Sequence, residues 1–141
     1  MSTALIVDTS ALLAFFDASE PDHEAVSAVL APADVLVVSP YVVAELDYLV
    51  ATRHGVDNEL AVLDELAAGA WRLAAFDDDD LQSASRIIAR YRDQKIGVAD
   101  ASIMVLAERY RTRSVATLDH RHFAVLTALD GGPLEVLPGK G

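Results

Sequence analysis

The chain of 141 residues contains no cysteine. That absence removes disulfide frameworks, thiolate metal sites and a cysteine nucleophile, and it suits a reducing compartment. Aromatic residues are scarce at 6%, with a single tryptophan. Trp71 has no aromatic neighbour in sequence for a base-stacking platform and reads as core. Long apolar runs are missing too. The longest stretch without Asp, Glu, Lys or Arg is residues 35–44, far short of the roughly 20 that span a bilayer. Asp8 interrupts the first apolar run and no cation leads it, so no signal peptide and no membrane association are expected, and the expected location is cytoplasmic. Cations are half as numerous as acids, 11 against 22, for a net charge of −11, which argues against a general nucleic-acid coat protein.

What is present is an ordinary globular composition, 52% hydrophobic and 23% charged, which excludes disorder and suits one domain over residues 1–141. No repeat or low-complexity segment occurs. The charge is unevenly spread. Residues 86–122 hold eight basic residues against four acids, whereas the remainder holds three against eighteen. Either one cationic face sits on a self-repelling acidic body, or the helix surfaces simply differ in charge.

Apolar runs at residues 3–7, 35–38 and 114–118 read as buried strands, with weaker candidates at 71–75 and 134–137. Helices are expected at 11–16, at 21–30 with Pro21 first, at 40–54 after the Ser39 cap, at 57–68, from 77–80 to 91, and at 97–110. A turn is expected at 130–133. Strands alternating with helices imply an α/β/α sandwich around a mainly parallel sheet of four or five strands.

Two acids, Asp8 and Asp119, immediately follow buried strands, where open parallel sheets bind ligands. Two more interrupt apolar helix faces. Glu45 falls within the stripe of Val42, Leu46, Leu49 and Val50, and Asp100 precedes Ile103, Met104 and Ala107 at helical spacing. Asp47 and Glu108 fall off these stripes and read as solvated. Each acid alone suits a cap or an arginine partner. Four together, with Lys95 the only lysine before Lys140, repel one another unless a hard cation neutralises them, and oxygen donors suit Mg²⁺ or Mn²⁺. Such an ion activates water and stabilises charge on phosphorus, which points to phosphodiester hydrolysis. Arg86, Arg90, Arg92, Lys95, Arg109, Arg111, Arg113 and Arg121 would then contact the substrate backbone.

The segments IVDTSALLAFFD, SPYVVAEL, IGVADASIMVLAERY and SVATLDHRHF resemble the PIN-domain ribonucleases, specifically the VapC-like toxins of bacterial type II toxin–antitoxin modules. The alanine-rich composition is similar to that of proteins from GC-rich bacteria, mycobacteria among them. The resemblance covers nearly the whole chain and implies a Mg²⁺-dependent endoribonuclease, with Mn²⁺ as a substitute, neutralised by a cognate antitoxin and assembled as a homodimer. It places the family's four acids on Asp8, Glu45, Asp100 and Asp119. Asp8 and Asp100 are implied as direct metal ligands, while Glu45 and Asp119 act through waters or at a weaker second position. Thr9 or Ser10, together with Thr117, match hydroxyls that orient the carboxylates.

Two other classes compete with this reading. A phosphotransfer protein could use Asp8 as a nucleophile, but no acid stands two positions on and no lysine follows a late strand. An inert binding module could use the carboxylates only to hold a partner's arginines. Other features read as structural. Asp77, Asp78, Asp79 and Asp80 lack the spacing of a calcium loop and suit a helix start. His120 and His122 flank the last strand end, where one could touch substrate, but they read first as solvated or packing residues, with no second histidine pair suggesting zinc. Tyr41, Tyr48, Phe15 and Phe16 suit packing or a dimer face.

Overall fold

The computed structural model describes residues 3–128 and 131–139. In chain order its elements are β1 (Ala4–Val7), α1 (Thr9–Phe16), α2 (His23–Leu30), β2 (Val35–Val38), α3 (Pro40–His54), α4 (Val56–Ala67), β3 (Arg72–Leu73), α5 (Asp78–Arg90), a 3-10 turn (Arg92–Gln94), α6 (Val98–Arg109), β4 (Ser114–Ala116), α7 (His120–Ala124) and β5 (Glu135–Leu137). The strands form one parallel sheet in the order β3-β2-β1-β4-β5, flanked by helices, as expected for the α/β/α sandwich.

Register follows from the apolar runs. Leu5 stands opposite Leu36, Ile6 opposite Val37 and Val115, and Val7 opposite Ala116. Ile6, Val7, Val37 and Val115 have no exposed surface, and each such side chain contributes about 1.5–3 kcal/mol by leaving water. Helix α6 buries every residue from Ala101 to Ala107, so it is a central helix rather than a two-sided one. Its lone hydroxyl, Ser102, is satisfied by Ala99 O at 2.6 Å and by Ser39 Oγ at 2.7 Å. Ser39 also caps α3, accepting the Tyr41 amide at 3.1 Å.

Chain order reverses beside β1, because the chain adds β2 and β3 on one side and then β4 and β5 on the other. A crevice opens at the carboxyl ends of neighbouring strands at such a switch point. Here those strands are β1 and β4.

Several expected boundaries shift. Helix α2 starts at His23 rather than Pro21. Asp17 accepts the Ser19 amide and hydroxyl, folding residues 17–20 into a turn first. Strand β3 shrinks to two exposed residues. Strand β4 ends at Ala116; the Thr117 amide still carries the β5 ladder one bond further, to Leu137 O at 2.9 Å, while its side chain turns to the site. Helix α7, absent from the sequence expectation, follows Asp119 directly. In the expected turn at 130–133, Asp130 lies outside the described residues, while Gly131 (φ 88°) donates to Ala128 O at 2.8 Å.

The aromatic residues divide. Phe15 and Phe16 pack on buried Trp71 at 5.5 and 6.0 Å between ring centres, and Tyr41 sits edge-on to Phe76 at 5.3 Å. Tyr48 is 68% exposed. The acids that open α5 behave as a helix start, with Asp77 and Asp80 exchanging capping-box bonds of 3.0 and 2.9 Å.

Candidate active site

Asp8 is fixed at the switch point by its own backbone, whose amide donates to Ala116 O at 2.9 Å. Its side chain is buried, at 6% exposure. The Thr117 hydroxyl donates to Asp8 Oδ2 at 2.7 Å and the Ser10 hydroxyl to the same oxygen at 3.2 Å. Ser10 Oγ accepts the Leu118 amide at 2.9 Å, and Thr117 Oγ1 accepts the Asp119 amide at 3.0 Å. This network ties the end of β1 to the end of β4 and leaves Asp8 one defined orientation. Burial pushes its carboxyl up from 3.8 to about 6. The Thr117 hydroxyl and the Thr9 amide pull it back, and Asp100 adds to the push.

Asp100 stands in the first turn of α6 and is half-buried. Burial raises its carboxyl as well; His122 opposes the rise, and Glu45 and Asp119 reinforce it. Asp119 caps α7, accepting the His122 amide at 3.0 Å, and is more open, with 48% of its side chain exposed. Glu45 differs from expectation. It is exposed, on the flank of the α3 stripe beside Leu49, and looks into the crevice rather than the core. Asp47, expected in solvent, occupies the opposite flank half-buried and faces Glu59 of α4.

All four acids line one cavity of about 310 Å³, with Thr9, Ser10, Leu13, Leu49 and His122 completing the wall. No lysine or arginine is among them. Among the described residues, no three His, Asp or Glu side chains stand close enough to hold an ion by themselves. Magnesium is held by one or two carboxylates and keeps several waters. A buried Asp8 with a raised carboxyl, a half-buried Asp100 and two more open acids fit that demand for oxygen donors.

Comparison with known proteins bears on this geometry. The PIN domain family matches residues 5–128. The chain belongs to the PIN-domain family. This PIN domain is 62% identical over 135 residues to Ribonuclease VapC26 of Mycobacterium tuberculosis, spanning 95% of this chain and 100% of that protein. Its fold resembles the crystal structure of M. tuberculosis VapC20, a Sarcin-Ricin loop cleaving toxin, with TM-score 0.76 at 19% identity, over 84% of this chain and 92% of that one. It also resembles VapBC2 from Rickettsia felis bound to a promoter DNA fragment, with TM-score 0.71 at 16% identity, over 95% and 98% of the two chains. At those identities the two structures speak for the fold. The resemblance carried by the four acid-bearing segments is thereby confirmed at the level of the VapC-like PIN family.

The remaining sequence candidates of the PIN domain separate in space. Of the two hydroxyls after Asp8, Ser10 belongs to the carboxylate network, while Thr9 Oγ1 is buried without a hydrogen-bond partner. His122, read from sequence as solvated or packing, belongs to the cavity wall. Its Nδ1 lies 3.3 Å from Asp119 Oδ2 and its Nε2 lies 3.4 Å from Asp100 Oδ2. The sequence signal for it was an Asp cap followed three residues later by an inward-facing residue, in a helix of only five residues.

The basic segment does not form one strip. Arg109, in the last turn of α6, donates to Asp80 at 2.6 Å and to Ala75 O at 2.8 Å. That pairing makes α5 antiparallel to α6, so Arg90 at the end of α5 returns to the level of Asp100. Arg111 and Arg113 precede β4, and the four residues from Arg113 to Thr117 span about 13 Å along an extended strand. Arg113 instead lies against Gly132. Arg86 lies on the exposed face of α5, one turn before Arg90.

Proposed function

We propose that this PIN domain is a Mg²⁺-dependent endoribonuclease, the toxin of a toxin–antitoxin pair, acting in the cytoplasm. The observation that carries the reading is the single cavity into which four carboxylates converge with no cationic side chain, in a chain 62% identical to a named ribonuclease. A buried carboxylate whose pKa has risen to about 6 lacks compensation, and a hard divalent ion supplies it.

In this reading Asp8 and Asp100 hold the ion. When bound, it lowers the pKa of a water and neutralises charge on the phosphodiester. Thr117 and Ser10 hold Asp8 Oδ2 and so fix the orientation of the carboxylate at the cavity wall. Glu45 and Asp119, more exposed, accept hydrogen bonds from the waters that fill the remaining positions, or serve a weaker second ion. The attacking water displaces the ribose oxygen from phosphorus, and the open acids are placed to take its proton. Arg90, Arg92, Lys95 and Arg121 are the cations proposed to meet the flanking phosphates, contributing affinity without sequence reading.

The partner follows from the same wall. Four acids without a cation favour a guanidinium from an antitoxin in place of metal. A groove of about 300 Å³ adjoins the cavity through Leu13, with Phe16, Val50 and Val62 on its apolar side and Asp17, Glu20, Arg53, His54 and Asn58 on its polar side, and it offers an amphipathic seat for the same segment. VapBC2 from Rickettsia felis is a neighbour in fold. The homodimer is proposed through the face carrying Tyr48, Val56 and Leu60, all more than half exposed.

Titrating Mg²⁺ against the protein and then running an RNA-cleavage gel tests the reading. Metal binding with metal-dependent cleavage is expected. Metal binding without cleavage would leave a binding module, and an acid-labile phosphate on Asp8 would indicate phosphotransfer.

A further inference from the structure

The turn of α6 that carries Asp100 starts after Gly97, which offers no capping side chain. Two residues beyond Asp100 stands Ser102, with no exposed surface. Every other residue from Ala101 to Ala107 is apolar, and serine is a poorer helix former than alanine in a helix interior. Packing alone would be met by alanine, so the hydroxyl is explained by what it holds. Ser102 Oγ donates at 2.6 Å to Ala99 O, the carbonyl of the peptide that leads into Asp100. Ser39 Oγ lies 2.7 Å from Ser102 Oγ. Because the Ser102 hydrogen goes to Ala99 O, Ser39 is the donor between the two. Ser39 Oγ in turn accepts the Tyr41 amide at 3.1 Å. Each hydroxyl therefore donates once and accepts once, in a chain with a single sense whose members strengthen one another. The far end of the chain is anchored to the sheet. Ser39 directly follows β2 and Asp8 directly follows β1. The two strands pair in parallel with Ile6 opposite Val37, so Asp8 and Ser39 leave the carboxyl edge at the same level.

Thr117 and Ser10 tie Asp8 to the end of β4, and Ser39 and Ser102 tie the Asp100 turn to the end of β2. We propose that Ser102, held by Ser39, is a positioning residue for the ion-binding pair. It fixes the first turn of α6 against the sheet edge and so sets where the Asp100 carboxylate stands relative to Asp8. Ser102 thereby joins the metal-dependent ribonuclease reading, on which this assignment rests, as a residue that touches neither ion nor RNA. Groups that orient a metal ligand from behind typically change metal affinity by about 10–100-fold when removed.

The test is the affinity of the full-length protein for Mn²⁺ without RNA, by isothermal titration calorimetry, beside thermal melts in EDTA. Ser102→Ala and Ser39→Ala are each expected to weaken Mn²⁺ binding about tenfold. The double variant is expected to lose no more than the more affected single one, because both changes break the same bond. Leu66→Ala opens a cavity under α4, outside the acidic site; it lowers Tm without touching the hydroxyl chain and is expected to leave Mn²⁺ affinity unchanged. Ser39→Ala leaves Ser102 its Ala99 acceptor, so it carries the comparison alone if Ser102→Ala does not fold. Wild-type Mn²⁺ affinity in either folded single variant overturns the proposal, as do losses that add in the double variant. An equal loss in Leu66→Ala overturns it too, since affinity would then follow general loosening of the fold. A wild-type protein that binds no Mn²⁺ overturns the metal reading itself, and the proposal with it.

Discussion

Replacing Asp8 with Asn removes a carboxylate that is 6% exposed and pushed by burial from 3.8 to about 6. Because the folded-state pKa lies above the unfolded one, the folded protein holds the proton more tightly. Stability is therefore lost as pH rises from about 4 to about 6, and the loss is complete above that range. The gap of roughly two pKa units corresponds to about 3 kcal/mol at pH 7, at 1.36 kcal/mol per unit. Asparagine avoids this charge penalty, and its carbonyl can still accept the Thr117 hydroxyl. The altered bond to Ser10 returns about 1 kcal/mol. A net gain of about 2 kcal/mol raises Tm by roughly 4–8 °C in a domain of this size. Thermal melts in EDTA, followed by circular dichroism from pH 4.5 to 7.5, read the effect. The charge penalty falls by about half near pH 5, where the wild type holds its proton, so the net advantage of Asp8→Asn should be largest at pH 7.5 and shrink to about a third near pH 5. Equal or lower Tm for Asp8→Asn at pH 7.5 would refute the claim that an uncompensated charge is buried there.

Glu45→Gln and Asp119→Asn should lower kcat on RNA less than changes at Asp8 or Asp100 do, because both acids are more open; a loss at Glu45 equal to that at Asp8 would place Glu45 among the direct ligands. EDTA should stop cleavage, and Mn²⁺ should restore it at least as well as Mg²⁺, since both accept oxygen donors; cleavage that survives chelation counts against a metal site. Changing Arg90, Arg92 and Arg121 to Gln should weaken binding to every RNA and flatten the dependence on salt, by about 0.7 in log–log slope per lost phosphate contact on single strands. The same changes at Arg109, Arg111 and Arg113 should leave that slope alone, and the reverse ranking would relocate the RNA path.

The sheet was legible because β1 and β2 are unbroken apolar runs buried on both faces, and α3 because Ser39 and Pro40 mark its start. The four acids stood out in the sequence for other reasons, Asp8 and Asp119 because they directly follow apolar strand runs, and Glu45 and Asp100 because they interrupt apolar helix faces. What escaped reading depended on geometry beyond one element. Glu45 and Asp47 flank the same stripe, and only the packing of α4 on one side and the crevice on the other decides which is open. His122 reaches the cavity through α7, five residues long and too short for a periodic pattern. The arginines looked like one cationic strip because sequence shows their spacing but not the reversal of direction between α5 and α6. Strand β3 was overestimated at its start because Trp71 is apolar for packing with Phe15 and Phe16 rather than for pairing in the sheet.

The most direct measurement is RNA cleavage by the Asp8→Asn/Asp100→Asn protein beside the wild type, at matched concentration in Mg²⁺, with a melt to show that both are folded. Wild-type cleavage, and none from a double variant at least as stable, is the expected pair of results. A folded double variant that still cuts RNA at the wild-type rate would mean that the chemistry lies outside this cavity.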